Sequence, residues 1–137
     1  MAFSFLIKIK EKSLVSRFQS LKKTREFQSV YQSGHSKVNR LFVMLVKKNN
    51  KPYNRVGISV SKKVGNSVVR SRSKRLILEN YRIKQNNINK KGYDFVFVAR
   101  TKIKDKSYHD VEKAMDNLFN KAGLYNEKND NIFNKSI

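Results

Sequence analysis

The chain has 137 residues, 31 of them Lys or Arg against 10 Asp or Glu, for a net charge of +21 at neutral pH. The length suits one core, while the charge would self-repel in a compact state unless a polyanion neutralises it. There is no cysteine, which excludes a disulfide framework and thiolate metal sites, and no run approaches the ~20 apolar residues of a membrane span.

Nucleic acid is therefore the first partner class. An anionic membrane is a weaker second, because Met1 is followed by Ala2 rather than the glycine of a myristoylation signal and no C-terminal cysteine box is present. The opening apolar run, Ala2 to Ile7, is shorter than a signal-peptide core and is followed at once by Lys8, Lys10 and Lys12. Residues 1–19 read as an unexported, poorly ordered extension, which fits a cytoplasmic protein.

From residue 20 the hydrophobic period changes several times, as in a mixed α/β domain. Thr24 is placed to cap a first helix with Glu26 in its first turn. Phe27, Val30 and Tyr31 recur at i, i+3, i+4, and Gly34 ends the helix. A short strand is possible around Ser36 to Arg40. "RLFVMLVKK" (Arg40 to Lys48) is apolar on both faces, and after the turn-rich "NNKPYN" the segment "RVGISVS" alternates Val56, Ile58 and Val60 with small residues. These two strands are expected to pair as a hairpin. A second helix starts after Asn66 and runs to about Lys84, "GYDFVFVAR" (Gly92 to Arg100) reads as a buried strand, and Ser107 with Asp110 forms a capping box. The last helix carries Val111, Ala114, Met115, Leu118 and Phe119 inward and stops at Gly123. The polar tail, 126–137, reads as frayed. The predicted order over 20–125 is α-β-β-β-α-β-α.

The second helix carries the densest charge. Ser61 to Arg82 holds seven basic residues against one acid, Glu79. At ~100° per residue, Val69, Ser73, Leu76, Ile77, Asn80 and Ile83 gather on one side. Arg70, Lys74, Arg75 and Arg82 spread over the other, and Arg72 borders the stripe. Like charges at i, i+4 weaken an isolated helix, so such a face is unfavourable until phosphates arrive. A nuclear-localisation cluster or an arginine-serine repeat would also contain "RSRSKR" but would not run in phase with an apolar stripe. A plain solvated helix face is the remaining alternative.

Catalytic groups are scarce. His35 and His109 lie in different elements, no Ser-His-Asp or Cys-His arrangement can be assembled, and Glu26, Glu79 and Asp94 stand apart among bases. His109 with Glu112 has the i, i+3 spacing of a metal pair, but both read as exposed. Any phosphodiester chemistry served by this chain would need metals held elsewhere.

"RVGISVSKKVGNSVVRSRSKRLILENYR" (Arg55 to Arg82), the upstream "LKKTREFQSVYQSGHSKVNRLFV" and the downstream "KGYDFVFVARTKI…LFNKAGLY" resemble the bacterial ribonuclease P protein subunit over roughly Ser20 to Tyr125. The resemblance implies an α/β (α+β) two-layer sandwich whose basic helix joins two parallel strands by a left-handed βαβ crossover, against the usual handedness. It also implies a ribonucleoprotein whose partners are ribonuclease P RNA and precursor tRNA, with no membrane and no obligate protein partner. The RNA would bind the catalytic Mg2+ that the holoenzyme requires, the protein itself holding no cofactor strongly, and leader removal would give the mature 5′ end of tRNA.

By position, Lys63, Arg70, Ser71, Arg72, Lys74, Arg75 and Arg82 would lie against the RNA subunit. The 5′ leader would run between the first helix and the sheet, beside Phe27, Tyr31 and Phe42, with Lys62 and Arg100 on its phosphates. Phe27 and Phe42 fit ordinary core equally well. Ser71 stands where the family motif has asparagine, and Leu78 where relatives often carry arginine. The alternative function is a non-enzymatic RNA-binding protein, such as a ribosomal protein or assembly factor. A helix-turn-helix DNA binder fits less well, because strands flank the basic helix.

Overall fold

The computed structural model describes residues 18–125, so the expectation for 126–137 and that for 1–19, except at its last two residues, lie outside them; Phe18 packs edge-on against Tyr81 and Gln19 belongs to the first strand, so these two are part of the fold. Strand β1 is Gln19–Ser20, helix α1 Thr24–Ser33, β2 His35–Val38, β3 Phe42–Lys48, β4 Arg55–Ser59, α2 Ser67–Lys84, β5 Tyr93–Ala99 and α3 Tyr108–Lys121. The strands form one sheet in the order β1-β4-β5-β3-β2. This is the expected α+β class, with β1 as an addition too short to carry a periodicity.

The sheet corrects the expected hairpin. β3 and β4 do not pair; β5 lies between them, antiparallel to β3 from Phe42↔Ala99 to Lys48↔Tyr93 and parallel to β4 from Arg55↔Asp94 to Ser59↔Val98. The 49–54 connection, between the ends of β3 and β4, is longer than a two-residue hairpin turn and can step across one strand. "YDFVFVA" is buried at five of seven positions, on both faces, and such a strand belongs in the middle of a sheet. The hairpin that does form is β2 with β3, from His35↔Val46 to Val38↔Val43. Its turn is held by Asn39 Oδ1, which accepts from the Leu41 and Phe42 amides at 3.0 and 3.1 Å.

Each helix starts for a local reason. In α1 the cap is Lys23 rather than Thr24, because the Glu26 carboxylate reaches back to accept from the Lys22 and Lys23 amides at 2.9 and 2.8 Å and thereby fixes the entry one residue early. Asn66 caps α2, its side chain accepting from the Val69 amide at 3.0 Å. In α3, Ser107 and Asp110 form the reciprocal box at 3.0 and 3.1 Å.

The main core lies between one sheet face and helices α2 and α3. Phe42, Phe95, Phe97, Tyr81 and Phe119 are all fully buried there, and edge-on contacts join Phe42 to Phe97 and both Phe95 and Phe97 to Phe119 at 5.8–5.9 Å. α2 buries Ser73, Ile77, Asn80, Tyr81 and Lys84. Ile83, expected in the stripe, is 49% exposed; it sits about 100° from the centre of that arc, and Tyr81 occupies the core instead. Buried Lys84 pairs with Asp116 at 2.7 Å, tying α2 to α3. Among the described residues the opposite face is packed only by α1 and the segment before it, through Leu21, Phe27 and Val30 against Leu45, Val96 and Val98.

Candidate nucleic-acid interface

The strand register defines what α1 leaves open. Cross-strand partners share a face, so three rows run across the α1 side: Val38, Val43, Val98 and Ser59; then Ser36, Leu45, Val96 and Gly57; then Lys47, Asp94 and Arg55. A helix of ten residues is about 15 Å long, shorter than five strands are wide at ~4.8 Å spacing. α1 sits over the second and third rows, and in the first row Val38 is exposed and Val43, Val98 and Ser59 are only partly buried.

Two features hold α1 there. Phe27 presses against the backbone of β4: a Cβ on Gly57 would come within 2.5 Å of its ring, so glycine at 57 is what lets the ring approach the sheet. In the same helical turn, Arg55 donates from Nη1 to Glu26 at 2.6 Å and from Nε and Nη2 to the buried Asp94 at 2.8 and 2.7 Å. The two carboxylates that stand apart in the sequence thus share one guanidinium. The Lys23 and Lys22 amides, with Arg55, lower the Glu26 pKa, and Asp94 raises that of Arg55.

The predicted leader residues divide between the two faces. Phe27 is partly buried on the α1 side, Tyr31 is 44% exposed one turn further along the same helix, and Lys62 and Arg100 are exposed. Because β4 and β5 are parallel and Ser59 is level with Val98, the chain delivers Lys62, Lys63 and Arg100 to the same end of the sheet, beside the open row. Arg100 donates to the Asn39 carbonyl at 2.8 Å. Phe42 is the correction: it is 0% exposed, inside the core on the α2–α3 side, against Phe97. It alternates with Val43, and that single step in the strand puts it on the wrong face for the cleft. Val43, Val98 and Ser59, which sequence reasoning missed, line the open row instead; their signal is the alternation of β3 and β5 once the two strands are put in register.

The α2 residues stay together. Ser71, Arg72, Lys74 and Arg75 are exposed, and Arg70 and Arg82 are partly buried. Arg72 donates to the Lys106 carbonyl at 3.0 Å, steadying the helix start against the loop before α3, and Arg82 pairs with Glu79 at 2.7 Å. Lys62 and Lys63 extend this face through a tight turn, the Val64 amide donating to the Ser61 carbonyl at 3.1 Å with Val64 buried beneath. His109 and Glu112 lie 3.1 Å apart, both exposed. Among the described residues no three His, Cys, Asp or Glu side chains come together.

Among the described residues, one sheet, two helices on one face, one short helix on the other and a basic end define the class: a small, basic α+β protein. The ribonuclease P family model matches residues 15–123. The ribonuclease P protein component of Clostridium acetobutylicum is 58% identical over 113 residues, covering 80% of this chain and 94% of the relative, and that of Clostridium beijerinckii is 56% identical over 115 residues, covering 79% and 91%. Among solved structures, the RNase P protein of Staphylococcus aureus matches with a TM-score of 0.73 at 34% identity, covering 80% of this chain and 100% of that one. That of Thermotoga maritima matches with 0.67 at 32%, covering 74% and 94%. The chain belongs to the bacterial ribonuclease P protein family, and is thereby an RNA-binding component of a tRNA-processing ribonucleoprotein.

Proposed function

We propose that the chain binds ribonuclease P RNA through the basic face of α2 and holds the 5′ leader of precursor tRNA in the cleft beside α1, so that the RNA subunit removes the leader. The observation that carries this reading is the separation of the two surfaces. Arg70, Ser71, Arg72, Lys74 and Arg75 radiate from α2 and leave its core stripe intact. Phe27, Tyr31 and the open row face away from the α2–α3 layer, with Lys62 and Arg100 at the shared end. A rigid sheet between two RNA-facing surfaces fixes the spacing between catalyst and leader, which is the positioning a ribonucleoprotein needs from its protein.

The leader reading needs an aromatic group accessible beside cations, since single strands are held by base stacking and backbone charge with little sequence requirement. Exposed Tyr31 meets that condition, partly buried Phe27 meets it in part, and Phe42 does not. The magnesium ions of the reaction are held by RNA, and the holoenzyme works in the cytoplasm. A gain in correct 5′ cleavage of precursor tRNA at low magnesium, when the protein is combined with ribonuclease P RNA, is the expected result of reconstitution. Unchanged cleavage, with RNA binding intact, would favour an RNA-binding protein outside ribonuclease P.

A further inference from the structure

A second basic recess lies on the other face of the sheet, and neither RNA surface above uses it. In register, His35, Lys37, Val46, Lys48 and Tyr93 all point to the α2–α3 side. There they meet the end of α3, which stops at Lys121, so that among the described residues no helix covers the last stretch of sheet. The result is a recess of about 680 Å³. Exposed His35, Lys37, Lys48 and Lys90 form its rim, and partly buried Tyr93 and buried Leu124 its wall. Phe95 supports the Tyr93 ring from inside the core at 6.3 Å.

The chemistry of the lining selects an occupant. Among the described residues no carboxylate lines the recess, and Lys37, Lys48 and Lys90 make no ion pair. An anion is therefore favoured at the rim, while the aromatic and apolar wall favours a flat, unsaturated body. A recess of several hundred Å³ is the usual size for a small ligand. Phosphate joined to a planar base satisfies both requirements, as at single-strand sites. We infer that this recess is a third nucleic-acid site, binding one nucleotide of a single-stranded RNA with its base against Tyr93 and its phosphate among Lys37, Lys48 and Lys90. Tyr93 and Val98 stand at opposite ends of β5, roughly 17 Å apart at the rise of a strand, so a strand held here is distinct from the leader.

The test is titration of the ¹⁵N-labelled full chain with uridine 5′-monophosphate, pentauridylate and inorganic phosphate, read by amide shifts. Saturable shifts are expected at Lys37, Lys48 and Tyr93 with both uridine ligands, and tighter binding of the nucleotide than of phosphate. Tyr93→Leu, which keeps an apolar wall, is expected to weaken uridine 5′-monophosphate at least about fivefold, the low end of one lost stack. Lys48→Ala with Lys90→Ala is expected to lower affinity for both uridine ligands, while cleavage by the reconstituted holoenzyme stays unchanged. Shifts confined to α1 and α2, or equal affinity for phosphate and nucleotide, would overturn the site. Failure of the leader reading would instead remove shifts around Phe27 and leave these in place.

Discussion

Two phenylalanines in neighbouring elements have opposite roles because of the face each occupies. Phe27→Ala removes a ring that borders the cleft and also packs α1 on the sheet, so some stability is expected to be lost, while precursor tRNA binding weakens by about 1–3 kcal/mol and mature tRNA, which has no leader, is much less affected. Tyr31→Ala should act in the same direction. Phe42→Ala removes a fully buried ring and is expected to cost about 3–5 kcal/mol of stability, damaging both substrates equally as the protein unfolds. Melting temperatures alongside binding of both RNAs separate the cases; equal losses for Phe27→Ala, tracking a lowered melting point, would return Phe27 to the core. Gly57 is the third diagnostic residue. A Cβ there sits 2.5 Å from the Phe27 ring, so Gly57→Ala is expected to lower stability by about 1–3 kcal/mol and to weaken leader binding by moving the ring, although no RNA-facing side chain has been removed.

At the scale of elements, α2 and α1 respond to different perturbations. Replacing Arg70, Arg72 and Lys74 with alanine leaves Ser73, Ile77 and Tyr81 in the core, so the fold is expected to survive while assembly with the RNA subunit weakens, each lost phosphate contact lowering the salt slope by about one. Circular dichroism and a salt series of binding measurements check both halves; an unfolded variant, or normal assembly, would show the face wrongly assigned. α1 depends on Glu26, whose folded pKa lies below the ordinary 4.5. A carboxyl lowered in the folded state contributes stability that is complete above 4.5, declines as pH falls below it, and is lost once pH passes below the folded value. Acidification is therefore expected to release α1 from Arg55 before the α2–α3 layer opens. Hydrogen exchange should show Phe27 and Val30 amides losing protection first, and Glu26→Gln should largely abolish that difference.

For the whole molecule, the distribution of acids sharpens the charge imbalance. Glu26 and Asp94 are held by Arg55, Asp116 pairs with Lys84, and Asp110 serves its own helix cap. Most described carboxylates are thus turned to internal contacts, and the basic surfaces have little to neutralise them except phosphate. The isolated protein is expected to bind RNA with log affinity falling against log salt by about 0.7–0.9 per phosphate contact, and to cleave nothing. Filter binding across a salt series and an assay of RNA-free protein with magnesium check this; cleavage by protein alone, or affinity indifferent to salt, would contradict it.

Short-range rules account for the features that were legible along the chain. Asn66 and the Ser107–Asp110 box set two helix starts, the 3.6 period of α2 separated Ile77 from the arginines, and the long motif around Lys62 to Arg75 marked the family. Strand partners and sheet faces are set by long-range contacts of the folded chain. Whether β4 pairs with β3 or with β5 depends on a strand more than thirty residues later, and local alternation is the same in either case. Phe42 and Val43 differ by one step of a strand that is apolar on both sides, so nothing local says which meets the core. Glu26, Arg55 and Asp94 are isolated charges along the chain, and become one anchor because the sheet brings Arg55 level with Asp94 while α1 folds back over both.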